Sequence, residues 1–233
     1  MRYFERQPLD AAIQTQLDEK TSKNWHSLTE KQRKEIVKQL LVSQKALCSY
    51  CESKISDKKE EHHIEHFEER HDAPNKIFHY SNLLLSCEGG KNPMSKPESD
   101  SDVLLRKSNI SCGNGKEKGR HGNIEIDYSL LLNPTGKGVD VLFSYRDGIV
   151  EPSELCTAEQ IEQVEYTKTR LNLNSINLKD NRKEQINQII LSLDVLSEEL
   201  QKNYIRTLLD ENQAELEPYF STIKDNFGFL LSS

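Results

Sequence analysis

Apolar positions recur along this chain with two different periods, and the change of period marks its regions. In LTEKQRKEIVKQLLVSQKAL, Ile36, Val37, Leu40, Leu41 and Leu47 fall on one face of a 3.6-residue repeat, which predicts an amphipathic helix. Thr29 followed three residues later by Gln32 is a capping-box pair, each side chain satisfying an orphan backbone N–H beside the other, and it places the helix start. That helix delivers the chain to Cys48. Further on, GVDVLFSYRDGIVEP alternates apolar and polar residues around Asp147-Gly148, which predicts a hairpin with a tight turn. The helical period then returns twice. CTAEQIEQVEYTKTRLNL opens with a second capping box at Thr157 and Gln160, and LKDNRKEQINQIILSLDVLSEEL repeats Ile186, Ile189, Ile190, Leu193 and Leu196. These stripes are core faces. No internal repeat is present, and GGKNPMSKPESDSD, rich in Gly, Pro, Ser and Asp, reads as a flexible segment.

The chain has 233 residues, 35% of them hydrophobic, enough for one core, or one core plus a small metal-stapled subdomain. No apolar run approaches membrane-spanning length, and MRYFERQPLD lacks the apolar stretch of a secretory signal, so a cytoplasmic protein is expected. In that reducing setting the five cysteines are expected to hold a metal or sit in the core rather than to pair. Cys48, Cys51, Cys87 and Cys112 lie in one stretch, with Cys156 apart, and four thiolates make a closed tetrahedral zinc site.

The formal net charge of −7 argues at first against a nucleic-acid partner, whose phosphates draw on lysines and arginines. The charge is uneven, however. Seven basic residues (Lys91, Lys96, Arg106, Lys107, Lys116, Lys118, Arg120) face four acids (Glu98, Asp100, Asp102, Glu117), a local balance of +3. Phosphate contact and a solvated loop explain this strip equally well.

CSYCESKISDKKEEHHIEHF holds the most concentrated chemistry: two cysteines two residues apart, a charged run, then three histidines among glutamates. A two-Cys, two-His finger would use Cys48 and Cys51 with His62 and His66. It would leave Cys87 and Cys112 unemployed and only Ile55 to pack beneath its helix. Four cysteines on one zinc instead free the histidines.

The order of motifs resembles the HNH endonucleases and their ββα-metal fold. CxxC is followed by Glu65-His66, then by Asn82 before the apolar run of NLLLSC, then by Cys112 with Lys116 four residues on in CGNGK. LLLNP, FSYRDGIV and TRLNLNSINLKDNR are similar to the PtuB-type HNH proteins of Septu and retron antiphage operons, so the resemblance runs over residues 47 to 182. It implies an α+β fold, a mainly helical chain around a zinc-stapled ββα module with a β-hairpin after it. The corresponding units are an N-terminal helical segment 1–46, the HNH/zinc module 47–125, and the hairpin with a helical C-terminal region 126–233.

The resemblance also implies metal-dependent hydrolysis of phosphodiester bonds, with structural Zn²⁺ and catalytic Mg²⁺ or Mn²⁺. Glu65 would hold the divalent cation and His66 would act as general base, since a pKa near 6.5 leaves an imidazole able to accept a proton. Asn82 would brace the loop that orients His66. The bland readings are a surface acid for Glu65, a turn residue for Asn82, and solvated His62 and His63, either of which could instead touch the metal or phosphate. The long stretch from Glu88 to Ser111 departs from the family pattern and leaves the remaining metal ligand open between Asn114 and His121, while Lys116 suits a phosphate. DNA is the favoured substrate, with RNA or tRNA open. The implied partners are a PtuA-type ATPase of the ABC type, docked on the terminal helices, and a retron reverse transcriptase with its msDNA. The alternative is a zinc-held adaptor that binds the ATPase or nucleic acid and cuts nothing.

Overall fold

The computed structural model describes residues 1–89, 100–116 and 124–231. Helix α1 (Ala11–Asp18) is capped by Asp10, whose side chain accepts from the N–H groups of Ala12 and Ile13. Helix α2 (Glu30–Ser43) begins at Thr29 with both halves of the predicted capping box in place. Its buried face presents Ile36 and Leu40 to the core. Lys45 and Ala46 then take positive φ values of 55° and 58°, turning the chain sharply into the first cysteine pair.

Strands β1 (His62–His66) and β2 (Leu83–Cys87) pair antiparallel, with His62 opposite Cys87 and His66 opposite Leu83. Leu83, Leu84 and Leu85 are fully buried because β2 is covered on both faces, by α2 and by the short helix α4. Helix α3 (Asp100–Asn109) precedes α4 (Cys112–Lys116). The end of the segment read as flexible is therefore helical from Asp100, and residues 90–99 lie outside the described part.

The second hairpin joins β3 (Phe143–Arg146) and β4 (Ile149–Pro152) through Asp147 and Gly148, both at positive φ (50° and 75°), as the dipeptide predicts. Helix α5 (Ala158–Arg170) starts at the predicted Thr157–Gln160 box. The following apolar run is divided between α6 (Ile176–Leu193) and α7 (Glu198–Leu208). Gln201 explains the break: its Nε2 donates to the carbonyls of Leu193 and Leu196 at 2.8 and 3.2 Å, closing the C-terminal end of α6 that would otherwise continue. Helix α8 (Phe220–Phe227) completes the order.

The fold is α+β, as the sequence predicts, with helices around two small antiparallel hairpins. Its principal core joins Ile36 and Leu40 of α2, Leu83–Leu85 of β2, Tyr145 and Val150 of the second hairpin, Val164 of α5 and Leu178 of α6. A smaller core of Ile189, Leu193, Ile205, Ile223 and Phe227 binds α6, α7 and α8 together.

Candidate active site beside a tetracysteine cluster

Cys48 and Cys51 come from the turn after α2, Cys87 from the end of β2, and Cys112 from the start of α4. Their four sulfurs lie within 4.8 Å of one another, and Cys51 Sγ is 3.7 Å from Cys87 Sγ. Tetrahedral zinc with Zn–S bonds of about 2.3 Å sets its sulfurs about 3.8 Å apart, so the donor set fits that ion. Backbone N–H groups point inward as well. That of Cys87 donates to Cys48 Sγ at 3.3 Å, and that of Ser53 to Cys51 Sγ at 3.5 Å, contacts that favour thiolates. Neither His62 nor His66 belongs to the cluster, so the chain does not form the two-Cys, two-His finger.

On the other side of β1 lies a cleft of about 670 Å³, lined by Trp25, His63, Glu65, His66, Glu88 and Asn114 among others. Strand alternation sets His63 and Glu65 on one face of β1 and His66 on the opposite one, at the strand's end. The His66 ring is buried, its Nε2 lies 3.0 Å from the Ile77 carbonyl, and Trp25 packs against it edge-on with ring centres 4.5 Å apart. A carbonyl can only accept, so Nε2 carries the proton and the lone pair sits on Nδ1. Burial pushes the imidazole pKa down to about 4, against the opposing pull of the Ile77 carbonyl.

Glu65 divides its two oxygens. Oε1 is paired with the Lys116 ammonium, while Oε2 faces His63 Nε2 at 3.5 Å. Burial by itself would raise this carboxyl; Lys116 and His63 outweigh it and hold the pKa down to about 2. Lys116 is 1% exposed, and its ammonium also donates to the carbonyls of His66 and Phe67, the latter at 2.9 Å. The ammonium is thus hydrogen-bonded to two carbonyls and ion-paired with one carboxylate. The phosphate role read from the sequence therefore does not fit Lys116, which faces inward and fixes both the Glu65 carboxylate and the backbone after His66.

Asn82 is buried and knots the loop after β1. Its Oδ1 accepts from the Glu68 N–H at 2.8 Å, and its Nδ2 donates to the carbonyls of Glu68 (3.0 Å) and Lys76 (3.4 Å). Lys76 immediately precedes the carbonyl on which His66 rests. Asn114 is 8% exposed, lines the cleft, and donates from Nδ2 to the Glu88 carbonyl at 3.0 Å. His121 lies outside the described residues. At the cleft mouth, Glu69, His71 and Asp72 form a second ligand-like group, in which His71 is already paired with both acids at 3.2 and 2.9 Å.

Sequence reasoning missed Trp25 and Glu88, and it left His63 open between a solvated residue and one touching the metal or phosphate. His63 is half-buried between two carboxylates, 3.5 Å from Glu65 Oε2 and 3.5 Å from Glu88 Oε1. Burial opposes its protonation, but those carboxylates prevail and raise its pKa. The signal was present in the spacing, because residues two apart on a strand share a face.

No family model matches this chain. A protein of Vibrio cholerae serotype O1 biovar El Tor, named "Retron Vc95 putative HNH endonuclease", is 29% identical over 163 residues, covering 69% of this chain and 68% of that protein. The likeness supports the HNH nuclease family. It agrees with a four-cysteine cluster suited to zinc beside a cleft bearing an imidazole and a carboxylate. Among the described residues no helix is long and apolar enough to cross a membrane.

Proposed function

We propose that this chain is a metal-dependent HNH endonuclease that hydrolyses phosphodiester bonds, with DNA favoured over RNA or tRNA as substrate. One observation carries the reading: His66, with its lone pair on Nδ1, and Glu65, with Oε2 turned away from Lys116, line the same cleft beside the tetracysteine cluster. His66 Nδ1 takes the proton of the attacking water, and the Ile77 carbonyl stabilises the imidazolium that results. Asn82 keeps that carbonyl in place by knotting the intervening loop. Trp25 shields one side of the ring from solvent. A Mg²⁺ or Mn²⁺ ion held through Glu65 would supply neutralising charge for the scissile phosphate and the leaving oxygen.

In the cell the chain would act as the nuclease of an antiphage complex with a PtuA-type ATPase of the ABC type, in the cytoplasm. A net charge of −7 is consistent with an enzyme that relies on a partner to hold nucleic acid. The retron named in the relative's description makes a reverse transcriptase and its msDNA the further partners to test.

The deciding experiment uses the full zinc-loaded chain with and without the ATPase, Mg²⁺ or Mn²⁺, and DNA and RNA substrates. His66→Ala should lower cutting by about 10²–10⁴-fold with zinc content unchanged and the fold retained. Equal cutting by both proteins moves the base elsewhere. Absence of cutting by wild type on every substrate, with the ATPase present, favours the adaptor.

A further inference from the structure

His63 and Glu65 face each other without hydrogen bonding. Their nearest atoms, Nε2 and Oε2, are 3.5 Å apart, wider than the 2.7–3.2 Å of a hydrogen bond. Adjacent donors on an octahedral Mn²⁺ or Mg²⁺ stand about 3.0 Å apart for bonds of about 2.1 Å, so the pair would close by about 0.5 Å around a shared ion.

Gly113 accounts for the open space between them. A Cβ at residue 113 would stand 2.7 Å from His63 Nε2 and 2.8 Å from Glu65 Oε2, nearly equidistant from the two donors. Any side chain there would fill the position a shared ion needs. Lys116 is ion-paired with the other oxygen of Glu65, and Glu88 Oε1 lies 3.5 Å from the other ring nitrogen of His63, which makes no hydrogen bond in this state; closing that gap on metal binding would complete the carboxylate–histidine–metal relay found at ligating imidazoles.

We infer that His63 is the second protein ligand of the cleft's divalent cation, bound through Nε2 beside Glu65 Oε2, with Glu88 orienting its ring and Gly113 leaving room for the ion. The inference rests on the cleft being a cation-dependent nuclease site. An imidazole ligand selects among divalent ions: Mn²⁺ and later transition metals accept it readily, whereas Mg²⁺ prefers an all-oxygen shell. The site therefore favours Mn²⁺ over Mg²⁺.

Binding is measured apart from cutting, by titrating Mn²⁺ into the zinc-loaded full chain and counting free ion by electron paramagnetic resonance. Wild type should bind one Mn²⁺ in the cleft. His63→Ala and Gly113→Ala should each weaken that binding at least tenfold, and Glu88→Gln by about 10–100-fold, with zinc content and melting temperature unchanged. His66→Ala should bind Mn²⁺ like wild type while losing activity. Wild-type affinity in both His63→Ala and Gly113→Ala overturns the inference, and the nuclease reading then stands or falls on His66→Ala alone. A wild-type chain with no Mn²⁺ site at millimolar concentration also overturns it. A His63-dependent Mn²⁺ site in a chain that cuts nothing upholds the ligand and removes the nuclease reading.

Discussion

His66 and Lys116 are both buried, and their surroundings differ: the ring meets one carbonyl, the ammonium two carbonyls and a carboxylate. The imidazole is kept neutral: its folded pKa lies near 4, below its ordinary value of 6.5. The sign follows directly. Above pH 6.5 neither folded nor unfolded chain protonates it, and its contribution to stability is complete; as pH falls from 6.5 toward 4 the unfolded chain takes up a proton that the folded chain refuses, and the contribution is lost. The span from 6.5 to about 4 corresponds to roughly 3 kcal/mol as an upper bound. Urea unfolding of the zinc-bound chain should thus show wild type losing more stability between pH 7 and pH 4.5 than His66→Gln, whose amide does not titrate. Lys116 sits among three oxygens, so Lys116→Met should leave the Glu65 carboxylate without its partner and destabilise the fold by about 3–5 kcal/mol. A phosphate-binding lysine would instead change substrate affinity and leave stability alone. The Glu65-His66 pair and Asn82 could be singled out in the sequence because each sits in a recognisable order of motifs. Lys116 could be singled out too, but its role could not be read, because spacing from Cys112 says nothing about whether an ammonium points in or out. His63 depends on Gly113 and Glu88, brought to it from α4 and the end of β2, a meeting that only tertiary structure creates.

Local chemistry made several elements legible. The capping boxes at Thr29 and Thr157 and the Asp147-Gly148 turn are decided within four residues, and all three form as the sequence predicts. The division of α6 from α7 is decided instead by a side chain, Gln201, folding back on the carbonyls of Leu193 and Leu196, and the apolar repeat runs straight through it. Helix α8 was equally hard to foresee, since its first turn is tied to the turn bearing Cys48 and Cys51 by Glu52, which accepts from the Ser221 N–H at 2.7 Å. The second hairpin shows how closely such elements approach. Gly148 adopts φ +75°, and a Cβ there would come within 2.4 Å of the Lys179 carbonyl on α6. Gly148→Ala thus combines left-handed strain with a backbone clash, and it should lower stability by about 2 kcal/mol or more, well beyond the roughly 1 kcal/mol expected of Thr29→Ala at an N-cap. Equal losses for the two in chemical denaturation would mean that the hairpin yields away from α6 without cost.

At the scale of the molecule, the units drawn from the sequence share one interior. The principal core runs across residues 46/47 and 125/126, with Cys48, Cys51 and Cys112 among its members, so the proposed zinc site lies inside that core rather than on an appended module. Two buried charges carry the connection outward. Glu52, next to Cys51, receives the Tyr219 N–H on its carbonyl at 2.8 Å and the Ser221 N–H on its carboxylate, fastening the start of α8. Arg182 of α6 is 1% exposed and donates to the carbonyls of Gly148 (3.2 Å) and Leu173 (2.8 Å), joining the second hairpin to the chain leading into α6. A structural zinc contributes folding energy directly, and here the elements it holds are shared by both ends of the chain. Cys48→Ser, or removal of zinc with a chelator, should therefore loosen α8 and the β3–β4 hairpin along with β1 and β2. Hydrogen exchange should show protection falling in all of these together, and a fragment of residues 47–125 should fail to fold even with zinc supplied. If exchange in α8 and the second hairpin stays at its wild-type level after zinc is lost, the C-terminal region is an independent unit. The cysteine cluster would then brace only the cleft beside it.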